Sequence, residues 1–194
     1  STCSFCTANK NAEKRPYKRM DEKLFYSIID QLRDWGYKGH LTLYGNNEPF
    51  LDTRIVEFHK YCREQLPDCF IFLSTNGLTL TVDKVKEIIP YVNQLIINNY
   101  CRDMKLHDNV KVIYDYAMAH QDEFANVELL FQMRYMDAVL TNRAGSAPNK
   151  QNTRKVIKET CLMPYTDMFI FPDGRMGICC CDNFETSTLA DLNV

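Results

Sequence analysis

Basic charge is the first thing this sequence lacks. Lysine and arginine together number 23 against 25 aspartates and glutamates, a formal net charge of -2. A phosphate-binding surface normally shows as a basic excess, so nucleic acid is not expected as a partner. Long apolar runs are missing as well. None approaches the roughly 20 residues of a membrane span, and no signal-peptide pattern opens the chain. Internal repeats and low-complexity segments are also absent. What is left is 194 residues that are 45% hydrophobic, enough for one core and a small appended unit.

Cysteine, by contrast, is abundant: nine residues. A secreted disulfide framework would show an even number spread along the chain. Here the count is odd and the residues cluster as Cys3 with Cys6, then Cys161, then Cys179, Cys180 and Cys181. Short fixed spacing reads better as thiolate ligands than as bridges. With balanced charge and no targeting signal, the expectation is a cytoplasmic metalloprotein. Cys62 and Cys69 flank a helix end and a strand and are expected as core thiols. His59, one turn before Cys62, is expected to pack rather than ligate.

The middle of the chain alternates strand-like and helix-like segments. Apolar residues recur at helical spacing over residues 21–35, ended by Gly36 and Gly39, and residues 41–44 read as a strand. A helix capped near Asp52 or Thr53 follows and stops at Pro67. Residues 69–73 form a continuous apolar run, the pattern of a strand buried on both faces. Asp83 can cap the next helix. A strand over 95–97, a helix over 110–120 and a strand over 127–135 complete the series. Repeated βα units predict a parallel sheet with right-handed crossovers, whose chemistry collects beyond the C-terminal strand ends. Polar residues follow each strand there. Residues 141–160 turn polar and mark a domain edge, and Pro172-Asp173-Gly174-Arg175 between two apolar runs signals a hairpin.

Cys3-Ser4-Phe5-Cys6 is a CxxC pair with an aromatic residue before its second thiol. Alone it leaves zinc, redox thiols and iron–sulfur open. Together with Gly45-Asn46-Asn47-Glu48-Pro49 after the next strand, it resembles the radical S-adenosylmethionine (SAM) superfamily. The signature CxxxCxΦC is matched in its second half by Cys3, Phe5 and Cys6, and its first cysteine is expected two positions before Ser1. The resemblance implies that thiolates hold a [4Fe–4S] cluster with one iron open, which SAM chelates. It also implies reductive cleavage to a 5′-deoxyadenosyl radical that abstracts hydrogen from a substrate.

The same resemblance carries to single residues. Gly45, Asn46, Asn47 and Glu48 are similar to the family's GGEP segment, which contacts the methionine amino group, though two asparagines replace one glycine. Ser74 and Asn76 stand where members contact SAM after the family's third strand. Asn98, following the next strand, and Arg134 resemble the pair that holds the SAM carboxylate. Asn142-Arg143-Ala144-Gly145 resembles the segment closing the core. Cys161, twelve residues, Gly174, four residues and Cys179 fit the opening of SPASM and twitch domains, CX9–15GX4C. These carry an auxiliary [4Fe–4S] cluster, to which Cys181, on the same side of a strand as Cys179, could add a ligand. Cys101 is a candidate hydrogen-atom donor.

The expected fold is α/β: a partial (β/α)6 TIM-like barrel over residues 1–145, then a small C-terminal β-hairpin iron–sulfur domain over 146–194. The expected partners are a flavodoxin- or ferredoxin-type reductant and a substrate, with no nucleic acid and no membrane. Modification of a peptide or protein is the first expectation for the reaction. A carbohydrate or aminocyclitol dehydrogenase or epimerase is the alternative, and a non-catalytic metal-binding relative is the reading from another class.

Overall fold

The computed structural model describes residues 18–45, 47–136, 159–182 and 187–193. Its first element is α1, Glu22–Asp34, where the spacing predicts a helix. Asp21 starts it, its Oδ1 accepting the N–H groups of Lys23 at 2.9 Å and Leu24 at 3.2 Å, donors that a helix start leaves unpaired. Gly36 ends it at φ +69°, a left-handed conformation that costs glycine little. Tyr37 N–H then donates to Leu32 O and Gly36 N–H to Arg33 O, the paired bonds of a Schellman stop.

The chain divides into two compact units, one of them Ile29–Met136. This unit holds four parallel strands in the order β1-β2-β3-β4: His40–Leu41, Phe70–Thr75, Gln94–Cys101 and Glu128–Tyr135. The crossovers contain α2 (Ile55–Gln65), α3 (Val82–Ile88) and α4 (Asp108–Ala119). This is the α/β class expected, with the sheet of a partial TIM-like barrel. Apolar residues drive it: Ile71, Leu73, Leu95 and Ile97 are each 0% exposed. Burial of one such side chain stabilises by about 1.5–3 kcal/mol.

Several expectations shift in detail. β2 is not buried on both faces. Buried and half-buried residues alternate along β2 and β3, so one face is closed and the other carries Phe72, Ser74, Ile96 and Asn98. The half-buried face is where polar side chains interrupt the apolar run, and a second apolar layer could not satisfy them. The strand expected at 41–44 pairs only as His40–Leu41, because the ladder with β2 stops at Leu41. β3 runs beyond 97 to Cys101, since β4 pairs with it along its whole length. Neither Asp52 nor Thr53 is the N-cap of α2. Asp52 instead accepts the Arg54 N–H and pairs with the Arg54 guanidinium at 2.8 Å, and the helix begins at Ile55. Thr81, not Asp83, caps α3 through its hydroxyl, and Asp83 lies in the first turn, where a carboxylate suits the helix dipole.

His59 and Cys62 of α2 are fully buried. His59 Nδ1 donates to Ile55 O at 2.7 Å, and burial lowers the ring's pKa to about 4 against that bond. Burial, with Cys69 adding to it, pushes the Cys62 thiol up to about 12. Cys69 is also raised by burial, and its Sγ donates to Tyr37 O at 3.3 Å. These groups are neutral packing elements.

The described C-terminal residues form a three-stranded antiparallel sheet, β5-β6-β7: Phe169–Ile170, Arg175–Gly177 and Thr188–Asp191, preceded by the short α5, Met163–Thr166. The hairpin expected around Asp173-Gly174 is present. Gly174 N–H donates to Phe171 O at 3.0 Å with Pro172 following the first turn residue, and Gly174 takes φ +84°. Phe171 packs edge-on to Phe169 and lies over Gly177, where a Cβ would come within 2.6 Å of its ring. Desolvation works to raise the Asp173 carboxyl, but hydrogen bonds from Lys18 and Arg175 outweigh it and hold the group at about 2. The boundary expected at 145/146 falls outside the described residues. No helix among them is long and apolar enough to cross a membrane.

Candidate functional site

Towards the C-terminal ends of β2, β3 and β4, polar side chains form a continuous row on the half-buried face. Asn98 sits at its centre: Nδ2 donates to Ser74 Oγ at 2.7 Å, and Oδ1 accepts Arg134 Nε at 3.1 Å. Arg134 Nη2 donates to Gln132 Oε1 at 2.5 Å. The strand register explains the meeting, since Asn98 pairs with Gln132 and Tyr100 with Arg134. Asparagine and arginine are poor strand interior residues unless their polar atoms find partners, and here they find each other. No carboxylate among the described residues pairs with Arg134, whose side chain is half-buried.

Glu48 binds the preceding loop to the end of β2. Its Oε1 accepts the Thr75 hydroxyl at 2.6 Å and the Phe50 N–H at 3.3 Å, and Oε2 accepts the Asn76 N–H at 2.8 Å. Charge-assisted bonds of this kind are stronger than neutral ones, and they fix where Gly45 and Asn47, both exposed, enter the loop. Asn76 Oδ1 accepts Leu78 N–H at 2.9 Å, and Gly77 follows at φ +75°. A Cβ on Gly77 would approach the methyls of Ile97 at 2.8 Å and Val110 at 2.9 Å, so only glycine fits.

Cys101 is the last residue of β3 rather than a loop residue, and it is buried. It alternates onto the closed face, away from Asn98, with Sγ donating to Arg134 O at 3.8 Å. It also lines a cavity of about 430 Å³ with Tyr100, Asp103, Lys105, His107 and Met136. The buried Asn99 shapes that rim: Nδ2 donates to Lys105 O and Oδ1 accepts His107 N–H, both at 2.9 Å. Met104 takes φ 56° there, the one non-glycine residue with positive φ among the described residues.

The structure thus brings together Ser74, Asn98 and Arg134, and separately Glu48 with the backbone of Asn76. Cys3, Phe5, Cys6, Asn46 and the segment 142–145 lie outside the described residues. Asn98 lies within β3 rather than after it. Cys161 is exposed, and Cys179, Cys180 and Cys181 are half-buried. Among the described residues no three of His, Cys, Asp and Glu stand together as a metal set. The sequence marks Thr75 and Asn99 only as polar residues at strand ends, with no role of their own, and leaves Gln132 unmarked. Gln132 was accessible, because residues two apart in a strand share a face, and Gln132-x-Arg134 sits on one strand. Thr75 and Asn99 depend on loop contacts that no local pattern reports.

The chain resembles known proteins along most of its length. The sequence profile of the Radical SAM superfamily matches residues 1–99. A curated relative is the S-adenosyl-L-methionine-dependent 2-deoxy-scyllo-inosamine dehydrogenase of Niallia circulans, 23% identical over 163 residues that make up 84% of this chain and 62% of the relative. The chain therefore spans less than two thirds of that relative's length. Among solved structures, the crystal structure of BtrN in complex with AdoMet and 2-DOIA superposes with a TM-score of 0.79 at 20% identity, covering 99% of this chain and 73% of that one. The structure of SeMet BtrN in an open conformation gives 0.64 at 16% identity, over 99% and 69%. At these identities the two structures establish the fold, and the profile match over half the chain establishes more: the chain belongs to the radical SAM superfamily.

Proposed function

We propose that this chain is the SAM-binding core of a radical SAM oxidoreductase that dehydrogenates a small polyhydroxylated amine of the aminocyclitol class. The observation that carries the substrate class is the match of 84% of the chain to a 2-deoxy-scyllo-inosamine dehydrogenase. Modification of a peptide or protein, the first expectation from the sequence, has no comparable support among these relatives.

The family implies SAM and a [4Fe–4S] cluster. Bound together, they supply hydrogen-atom abstraction started by a one-electron reduction. The residues present suit SAM: Arg134 offers an unpaired cationic group for its carboxylate, and Glu48 holds the loop that would face its amino group. For the cluster, Cys3 and Cys6 are the assigned ligands, and they lie outside the described residues. Oxidation of a CH–OH group to a ketone would pass one hydrogen atom to the 5′-deoxyadenosyl radical, one electron to the auxiliary cluster proposed below and one proton to water.

We assign residues 146–194 to an auxiliary cluster domain of SPASM or twitch type, with Cys161, Cys179 and Cys181 as its thiolates. A flavodoxin- or ferredoxin-type reductant and a cytoplasmic setting complete the reading.

Anaerobic reconstitution with iron and sulfide, then assay under dithionite with and without 2-deoxy-scyllo-inosamine, tests this. The expected result is 5′-deoxyadenosine formation accompanied by a ketone product, lost in Cys3→Ala and Cys6→Ala. Nucleoside formation that the aminocyclitol leaves unchanged would overturn the substrate class. A loaded cluster with no nucleoside would overturn the enzyme reading.

A further inference from the structure

We infer that Gln132 is a positioning residue that turns one edge of the Arg134 guanidinium towards a carboxylate ligand. The inference rests on the reading of this row as the site for the amino-acid half of SAM.

A guanidinium is planar and carries its N–H donors in a rigid fork, so which edge is occupied decides which edge is offered. Arg134 spends its Nε on Asn98 Oδ1 at 3.1 Å and one Nη2 hydrogen on Gln132 Oε1 at 2.5 Å. Nε and Nη2 share the side edge of the fork. Both acceptors are neutral amide oxygens, which orient the group and leave its charge uncancelled. Among the described residues nothing accepts from Nη1, so that end of the fork stays available to a carboxylate. Ser74 and Asn98 brace this arrangement from β2 and β3, because Asn98 Nδ2 is itself held on Ser74 Oγ at 2.7 Å. Asn98 alone would leave the guanidinium free to pivot about Nε, and Gln132 supplies the second point that fixes its plane. The strand carries both residues on one face two positions apart, so the brace costs no loop ordering.

The test compares two ligands with the same nucleoside. Calorimetric titration of the anaerobically reconstituted protein with SAM and with 5′-methylthioadenosine, which lacks the amino-acid carboxylate, separates orientation of Arg134 from general damage. Gln132→Leu is expected to weaken SAM about tenfold, the scale of one oriented charge-assisted bond, and to leave methylthioadenosine within about twofold. Gln132→Glu places a carboxylate against Arg134 and is expected to weaken SAM further, again with methylthioadenosine unaffected. SAM binding within about twofold of the parent in both variants, or equal loss of both nucleosides, would overturn the role of Gln132. Arg134→Met is the check on the underlying reading. If it leaves SAM affinity unchanged, the row is not the carboxylate site, and that failure is distinct from a silent Gln132→Leu beside a damaging Arg134→Met.

Discussion

The two parts of this chain that carry polar chemistry are stabilised in opposite ways. In Ile29–Met136, strands are bedded on side chains with no exposed surface, such as Ile71, Leu73 and Leu95, and the polar row stands on that base. Among the described residues from 159 to 193, Phe171 is the one fully buried large side chain, and Leu162, Tyr165, Met168 and Leu189 are exposed, Tyr165 by 80%. The cysteines divide the same way. Cys62 and Cys69 are buried thiols with raised pKa, inert as ligands, whereas Cys161 and Cys179 to Cys181 are accessible. A sheet with so little core is of the kind that small domains staple with metal or disulfide, which fits the auxiliary cluster proposed for it. The larger unit is held by packing, and the C-terminal one keeps its cysteines nearer the surface.

The difference is open to direct attack. Leu73→Ala or Ile97→Ala is expected to destabilise the protein by about 2–5 kcal/mol, while Leu189→Ala stays within about 0.5 kcal/mol, measured by chemical denaturation. Comparable losses in the two regions would erase the contrast. His59 gives a pH signature confined to the larger unit. Its folded pKa of about 4 lies below the ordinary value of 6.5, so its contribution is complete above pH 6.5 and is lost as pH falls towards 4. The full loss approaches about 3 kcal/mol. His59→Leu should flatten stability between those pH values, and an unchanged slope would remove His59 from the account.

Gly77→Ala must strain a positive φ and push on Ile97 and Val110, so about 1–3 kcal/mol of lost stability is expected. The smallest effect belongs to the C-terminal sheet. Asp173→Asn removes ion pairs with Lys18 and Arg175 that are partly open to water, worth no more than about 1 kcal/mol. Because that carboxyl is held at about 2, below its ordinary 3.8, its contribution is present above pH 3.8 and disappears as pH falls towards 2. Thermal unfolding across that range would show it.

Element type was legible because valine, isoleucine and leucine mark both periodicities cleanly between residues 21 and 135. Element ends were not. The reading stopped β3 at Ile97 because Asn98 and Asn99 look like turn residues. In the structure Asn98 is paired across three strands and Asn99, buried within β3, is bonded to Lys105 and His107 of the following loop, so tertiary hydrogen bonds override local preference. Asp83 looked like a cap because aspartate often is one, but the extended backbone two residues earlier gave the position to Thr81. Ser74 and Arg134 were named from the family resemblance. Gln132 was not, since the resemblance points at ligand-contacting residues and is silent about what holds them.

Hydrogen exchange of the anaerobically reconstituted protein, with and without SAM, tests the central claim most directly. The claim is that the C-terminal ends of β2 to β4 receive SAM. Slower exchange on SAM addition at 75–78, 98–101 and 132–135, reduced in Arg134→Met, is the predicted result. Tight SAM binding with exchange unchanged at all three strand ends would contradict it.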